Sequence, residues 1–90
     1  MLNTLENLIK LIKERKINPV EGSYTNKLLN DKILSKKKVL EEVGELIEAI
    51  EENTNKTHEA ADTFYHLLVY LEANNIKIED IMTELENRKK

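Results

Sequence analysis

Two pairs of carboxylates stand at the same spacing in two helix-like stretches of the chain. Glu42 and Glu45 are three residues apart, and so are Glu59 and Asp62. On an α-helix this spacing places both members of a pair on one face, about one turn from each other. Like charges at that spacing destabilise an isolated helix. A bound cation would offset the repulsion, so a divalent metal is the first chemistry that these residues indicate.

Four carboxylates from two helices would give a metal only oxygen ligands. Oxygen ligation suits Mg²⁺ or Mn²⁺ rather than Zn²⁺, and the chain has no cysteine to supply a thiolate. Mg²⁺ keeps several waters and is commonly shared with phosphate groups. The four acids are therefore candidate ligands of a metal that holds a di- or triphosphate and activates a water molecule for attack on phosphorus.

Other interpretations of the acids have to be weighed. Carboxylates on helix faces are often solvated charge, and for either pair alone that interpretation is favoured; two pairs on consecutive helices favour a site. A di-iron carboxylate bundle needs Glu-x-x-His repeats, whereas Asp62 follows Glu59 at that spacing and no histidine lies near Glu42. His66, one turn beyond Asp62, is by itself more often a structural histidine than a ligand.

Helical periodicity is expected to bring both pairs together. Apolar residues at three- and four-residue intervals predict helices over residues 3–16, 31–53, 56–74 and 78–88. The short polar break at 53–55 predicts an antiparallel hairpin of the second and third helices, with the four acids between them. The apolar faces expected to be buried on these two helices are Val39, Leu40, Val43, Leu46, Ile47, Ile50, Ala60, Ala61, Phe64, Leu67, Leu68 and Leu71.

The stretch at residues 18–25 is the one clear loop, because it contains the only proline and one of the two glycines. It is also dense in polar side chains, namely Ser23, Tyr24 and Thr25. Either Ser23 or Thr25 caps a following turn at 26–30, or these residues contact a ligand, as loops held by rigid helices often do. Both alternatives stay open.

Size and composition restrict the fold and the partners. Ninety residues make a single domain, 1–90, with a thin core. Charged residues are 34% and aromatic residues 4%, which is typical of an all-α protein. The net charge of −3 gives no reason to expect nucleic-acid binding, and the basic runs at 36–38 and 88–90 are interpreted as solvated. Without an apolar run of membrane length or a signal-peptide block, a soluble cytoplasmic protein is expected.

These motifs resemble the all-α nucleotide pyrophosphatases of the MazG-like superfamily. The pattern Lys-x-x-Glu-Glu-x-x-Glu at 38–45 and Glu-x-x-Asp at 59–62 match its two acidic helices. Two further motifs are similar to the phosphoribosyl-ATP pyrophosphatase family within it. They are the loop Pro-x-Glu-Gly-Ser-Tyr-Thr at 19–25 and the run Asp-x-x-Tyr-His-Leu-Leu-Val at 62–69. The acidic spacing is common to the superfamily, whereas the loop and the run point to this member.

The resemblance implies a compact MazG-like bundle of four to five helices, completed by dimerisation. The implied activity is Mg²⁺-dependent hydrolysis of phosphoribosyl-ATP to phosphoribosyl-AMP and pyrophosphate, the second step of histidine biosynthesis, with Mn²⁺ as a possible substitute. The implied metal ligands and catalytic acids are Glu42, Glu45, Glu59 and Asp62, with Glu41 as a further catalytic acid. The implied substrate contacts are Ser23, Tyr24, Thr25, Lys27, Lys38 and His66.

Some features depart from the family pattern or bear on its partners. The connection at 53–56 is short, and Thr63-Phe64 replaces an aliphatic pair. Because the cyclohydrolase fused to this activity in many organisms has a cysteine-rich metal site, a chain without cysteine is expected to be the monofunctional form. Val69, Tyr70 and Leu11 fall outside the apolar stripes, which favours a homodimer that covers them.

Two other functions stay open. One is a house-cleaning pyrophosphatase that acts on noncanonical or ordinary nucleoside triphosphates, against which the polar loop at 23–25 argues. The other is a non-catalytic helical interaction module, whose acidic pairs are only surface charge. A comparison of pyrophosphate release from phosphoribosyl-ATP and from dNTPs distinguishes the house-cleaning pyrophosphatase from the family's own activity. Glu45→Gln and Glu59→Gln substitutions that have no effect, with or without Mg²⁺, would favour the interaction module.

Overall fold

The computed structural model describes residues 1–89, and in that range it contains five helices and no strand. The all-α class and the number of helices are thus confirmed. Lys90, the last residue of the basic run at 88–90, lies outside the described residues. The helices are α1 (Asn3–Ile17), α2 (Tyr24–Leu29), α3 (Lys32–Glu52), α4 (Lys56–Ala73) and α5 (Ile78–Asn87). The turn expected at 26–30 is the helix α2, which begins two residues earlier. None of the helices described is long and apolar enough to cross a membrane.

The helices α3 and α4 form the predicted hairpin. The Asp31 side chain caps α3 by accepting a hydrogen bond from the backbone N–H of Leu34 at 3.0 Å. At the other end Asn53 adopts a left-handed conformation with φ 57°, which ends the helix. Asparagine tolerates this conformation better than most residues, so the polar break recognised in the sequence makes the turn into α4.

The hydrophobic core lies where α1 and α2 pack against α4. Its buried members are Ile12, Leu28, Leu29, Val69 and Ala73. Val69 is 0% exposed, so the expectation that it lies outside the intrachain core is wrong. The sequence pattern assigned α4 one apolar stripe, but α1 and α2 cover a different side of that helix.

The apolar stripes expected to be buried on α3 and α4 are largely exposed in the single chain, so this part of the predicted core is wrong. The apolar stripe of α3 stays exposed because α4 packs against another side of this helix. That side carries Glu42 and Ala49, which are both buried. Ala61 is exposed as well. The large exposed members, called the apolar face below, are Leu40, Val43, Ile47, Ile50, Phe64 and Leu67.

Candidate active site

Three of the four predicted acids converge between α3 and α4. Glu42, Glu45 and Glu59 each offer a carboxylate oxygen, and these oxygens lie within 4.8 Å of one another. Asp62 belongs to a second group, together with Glu59 and His58, in which one ligand atom from each residue again lies within 4.8 Å of the other two. Because Glu59 is common to both groups, the acids form one continuous cluster, called the carboxylate cluster below.

Glu42 is the most deeply buried acid of the cluster, with 6% of its surface exposed. Its Oε2 atom and the Oε2 atom of Glu59 are buried and have no hydrogen-bond partner among residues 1–89. Burial, followed by the charge of Glu45, raises the pKa of Glu42. Leaving a buried carboxylate oxygen unpaired costs free energy. A divalent cation would satisfy both oxygens, and an all-oxygen donor set fits Mg²⁺ or Mn²⁺.

Lys38 adds positive charge at one end of the cluster, one turn before Glu42 on α3. Its Nζ atom lies 3.8 Å from Oε1 of Glu42 and 3.6 Å from Oε1 of Glu41. Burial lowers the pKa of Lys38, but the neighbouring Glu41, Tyr24 and Glu42 raise it overall. The lysine therefore stays an ammonium group beside the carboxylates.

The other end of the cluster, next to the hairpin turn, is acidic. An open pocket there is lined by Glu45, Glu48, Ala49, Glu52, Thr54, Asn55 and Glu59. The hairpin thus has an electrostatic direction, with carboxylates toward the turn and Lys38 at the far end. A polyphosphate would be repelled from the turn and attracted toward Lys38.

Thr63 connects the two acid-bearing helices. Its Oγ1 atom lies 2.8 Å from the carbonyl oxygen of Glu59 on its own helix and 3.2 Å from that of Glu42 on α3. The single hydroxyl proton is shared between these two carbonyl acceptors, and the 3.2 Å contact links α4 to α3 at the level of the carboxylate cluster. The sequence showed Thr63 only as a departure from the family pattern, and a helical threonine gives no signal of a partner across a hairpin.

The first two residues of α2 reach α4 next to the cluster. The Tyr24 hydroxyl lies 3.1 Å from Nε2 of His66, and Oγ1 of Thr25 lies 2.6 Å from the Tyr65 hydroxyl. The rings of Tyr24 and Tyr65 stack with centroids 6.3 Å apart, and His66 packs edge-on against both. Burial raises the pKa of Tyr24, so its hydroxyl keeps its proton. His66 and Thr25 are buried, whereas Tyr24 is 45% exposed.

The loop before α2 is held by two polar side chains. The hydroxyl of Ser23 caps α2 by accepting a hydrogen bond from the backbone N–H of Asn26 at 3.2 Å. The predicted cap is thus confirmed, and the substrate contact of Ser23 stays a prediction. The buried Asn26 side chain donates to the carbonyl oxygen of Arg15 at 2.7 Å and accepts from the backbone N–H of Val20 at 2.9 Å.

Two residues near the predicted site were missed by the sequence analysis. Asn26 fixes the loop, but a single asparagine beside a turn is too common to stand out in one sequence. His58 lies with its Nε2 atom 3.4 Å from Oδ2 of Asp62, and its only signal is the four-residue spacing to that acid. Lys27, which was predicted, is exposed along an open groove beside the loop.

The whole chain is similar to known proteins. A family model described as phosphoribosyl-ATP pyrophosphohydrolase matches residues 5–89. The chain is 47% identical to the phosphoribosyl-ATP pyrophosphatase of Clostridium acetobutylicum, over 93% of this chain and 79% of that protein. It is 41% identical to the phosphoribosyl-ATP pyrophosphatase of Methanocella arvoryzae, over the full length of both.

A longer relative shares the same region. The chain is 47% identical to the histidine biosynthesis bifunctional protein HisIE of Caldanaerobacter subterraneus subsp. tengcongensis, over 99% of this chain and 45% of that protein. It therefore spans less than half the length of this bifunctional relative.

Proposed function

Because this chain belongs to the phosphoribosyl-ATP pyrophosphohydrolase family, we propose that it hydrolyses phosphoribosyl-ATP to phosphoribosyl-AMP and pyrophosphate. Membership of the family confirms the resemblance seen in the sequence. The names of the relatives support the substrate and a place in histidine biosynthesis. A metabolic nucleotide as substrate supports a cytoplasmic location.

The observation that carries the chemistry is the unpaired, buried oxygen of Glu42 within a group of three carboxylates. Glu42, Glu45 and Glu59 would hold Mg²⁺, or Mn²⁺ in its place, and Asp62 would contribute from the other side of Glu59. The bound ion would neutralise phosphate charge and lower the pKa of the attacking water.

The remaining residues bind and orient the nucleotide. The charged ammonium of Lys38 binds phosphate oxygens, and the acidic end at the hairpin turn directs the phosphate chain toward Lys38 and Lys27. Tyr24, which is 45% exposed, lies at the same end and contacts the substrate. Glu41, half-exposed beside Lys38, is a further acid of the site. A carboxylate of the cluster accepts the proton that the attacking water releases.

We propose that the functional unit is a homodimer formed through the apolar face of α3 and α4. Leu40, Ile47, Ile50 and Phe64 are each more than half exposed. Contiguous exposed apolar surface of this kind marks association sites in soluble proteins. Its helices also carry the carboxylate cluster, so pairing through this face would stabilise the hairpin that positions the acids.

Pyrophosphate release in the presence of Mg²⁺ tests the proposal, with phosphoribosyl-ATP, ATP and dNTPs compared as substrates. We expect release from phosphoribosyl-ATP and much less from the others. Glu45→Gln and Glu59→Gln should each lower the rate by more than about 100-fold while the helical content is kept, since loss of even an outer partner of a metal ligand costs about 10–100-fold. Glu6→Gln, an exposed acid on α1, is the matched control.

The alternatives predict different results in the same assay. Equal release from dNTPs would favour a house-cleaning pyrophosphatase. Full activity in both cluster variants would contradict the assignment of the carboxylate cluster, and absence of release from every nucleotide would favour the interaction module.

A further inference from the structure

His66 has both ring nitrogens engaged inside the protein. Its side chain is 7% exposed, and Nδ1 lies 2.8 Å from the carbonyl oxygen of Asp62. A carbonyl oxygen only accepts hydrogen bonds, so Nδ1 must carry the proton. In a neutral imidazole the other nitrogen is then an acceptor. The Tyr24 hydroxyl, 3.1 Å from Nε2, therefore donates to it.

These two bonds form a direct connection between the substrate loop and the metal-binding helix. The Tyr24 hydroxyl donates its hydrogen bond to Nε2 of His66. The Nδ1–H group of His66 donates in turn to the backbone carbonyl oxygen of Asp62. A second connection runs parallel to it, because Thr25 and Tyr65 share a hydrogen bond of 2.6 Å. Both connections start from the first two residues of α2, a helix of only six residues.

Direct contact of His66 with a nucleotide does not fit this arrangement. A buried ring with one nitrogen donating to Asp62 and the other accepting from Tyr24 has no free polar atom to offer a ligand. Tyr24 is different, since it is 45% exposed and its oxygen has lone pairs beyond the proton given to His66.

We propose, building on the proposed function, that His66 and Tyr65 are positioning residues that act through Tyr24 and Thr25. They fix the start of α2 on α4, so that the substrate contacts of the loop and the acids Glu59 and Asp62 keep one relative position. Loss of this connection displaces the loop from the carboxylate cluster and weakens substrate binding, while metal binding by the cluster is kept.

Steady-state kinetics on the full chain test the role of His66. We expect His66→Leu to raise KM roughly tenfold, the upper range for a lost neutral hydrogen bond, with kcat and the Mn²⁺ dissociation constant little changed. His66→Gln should recover most of the loss, because its amide oxygen can accept from Tyr24. Tyr70→Phe, which removes a hydroxyl from the same helix, is the control and should behave as the unaltered protein. Equal impairment of the Leu and Gln variants, or no change in either, would overturn the proposal.

A double-mutant cycle tests whether His66 acts through Tyr24. Tyr24→Phe removes the same hydrogen bond from the other side and keeps the ring. If the histidine acts only through the hydroxyl, His66→Leu should change KM by less than about twofold once Tyr24 is Phe. Effects that multiply would mean that the two residues act independently, contrary to the proposal.

The tautomer of His66 can be measured without substrate. Nitrogen-15 NMR of the labelled protein should show Nδ1 protonated and Nε2 unprotonated for His66, with exposed His58 as an internal comparison. An Nε2-protonated His66 would overturn the positioning role, whatever the activity of the chain. Absence of pyrophosphate release from the unaltered chain would instead overturn the proposed function, so the two failures are distinguishable.

Discussion

Glu42 is a carboxylate buried between other acids, and one of its oxygens has no hydrogen-bond partner in the part of the chain that the structure describes. Burial and then the charge of Glu45 raise its pKa above the ordinary 4.5. As pH rises from that value, the unfolded chain releases this proton before the folded protein does, so the fold loses stability until the folded pKa is passed. We expect this loss of stability with rising pH when a chelator keeps metal ions away. Glu42→Gln should abolish the loss and should therefore be more stable than the unaltered chain at neutral pH.

Thermal unfolding across the acid-to-neutral range, in EDTA, measures this effect. Glu48→Gln changes an exposed acid on the same helix and serves as the control. A Glu42→Gln protein that is less stable than the unaltered chain at neutral pH would show that the ionised carboxylate is favourably paired.

Mg²⁺ is expected to offset the stability that the fold loses through the buried, ionised carboxylate of Glu42. A ligand that binds only the folded state stabilises it by about 2.7 kcal/mol at a hundred times its Kd. The unaltered chain should therefore gain unfolding temperature on addition of Mg²⁺, and Glu42→Gln should gain much less because a neutral amide is a poorer ligand. Equal gains in both proteins would place the ion away from Glu42.

The sequence identified the acids of the site and the polar residues of the loop, but it did not reveal the contacts of two other neutral residues, Asn26 and Thr63. The spacing of Glu42 to Glu45 and of Glu59 to Asp62 is a helical pattern, and two such pairs on a hairpin can be recognised without coordinates. Asn26 and Thr63 act through backbone carbonyl groups of other segments. Such contacts depend on how the segments pack, which periodicity does not determine.

Between the elements, Thr63 is the polar contact that joins α3 and α4 at the carboxylate cluster. Thr63→Val keeps the shape and removes the hydroxyl, leaving the carbonyl of Glu42 without this donor. We expect a loss of about 1 kcal/mol in the free energy of unfolding, the usual net value of one hydrogen bond. Urea denaturation measures it.

Thr83 provides the matched control for this change. Within the described residues its hydroxyl bonds only the carbonyl of Glu79, in α5, at 3.1 Å, and Thr83 is exposed. Thr83→Val should leave the free energy of unfolding nearly unchanged. If the two variants lose the same amount, the bond from Thr63 to α3 contributes nothing beyond the bond within its own helix.

Element boundaries followed closely from the sequence, whereas the buried faces did not. Pro19, Asn53 and the polar break at 53–55 end and begin helices by local backbone preferences, which a single sequence reveals. The stripe of Leu40, Val43 and Ile47 also follows helical periodicity, but periodicity does not say what covers an apolar face. In the single chain α4 packs against the side of α3 that holds Glu42 and Ala49 instead.

For the whole molecule, the apolar face supports a second copy of the chain as the missing cover. In the single chain Ile47 is 52% exposed and Phe64 is 58% exposed. A glutamate at either position would place a charge on the apolar face, and in the dimer that charge would be buried and unpaired. We expect both variants to be monomeric by analytical ultracentrifugation at a concentration at which the unaltered chain is dimeric. Burying an unpaired charge costs several kcal/mol.

Ile17→Glu is the control, since Ile17 is a 73% exposed isoleucine at the end of α1. It should leave the oligomeric state unchanged. A monomeric unaltered chain at micromolar concentration, or dimers that persist in both face variants, would contradict an interface on α3 and α4.

The unpaired oxygens of Glu42 and Glu59 have a consequence for the life of the protein in a cell. If a divalent ion binds these acids, as proposed, a chain without the ion would keep the cost of burying them and would unfold more often. It would then be exposed to proteases for longer, so a stability difference of this kind would change abundance as well as activity. The supply of divalent metal would then set how much of the protein survives. Chelation should shorten its lifetime in a proteolytic extract, and Glu42→Gln, which lacks this buried charge, should outlast the unaltered chain there.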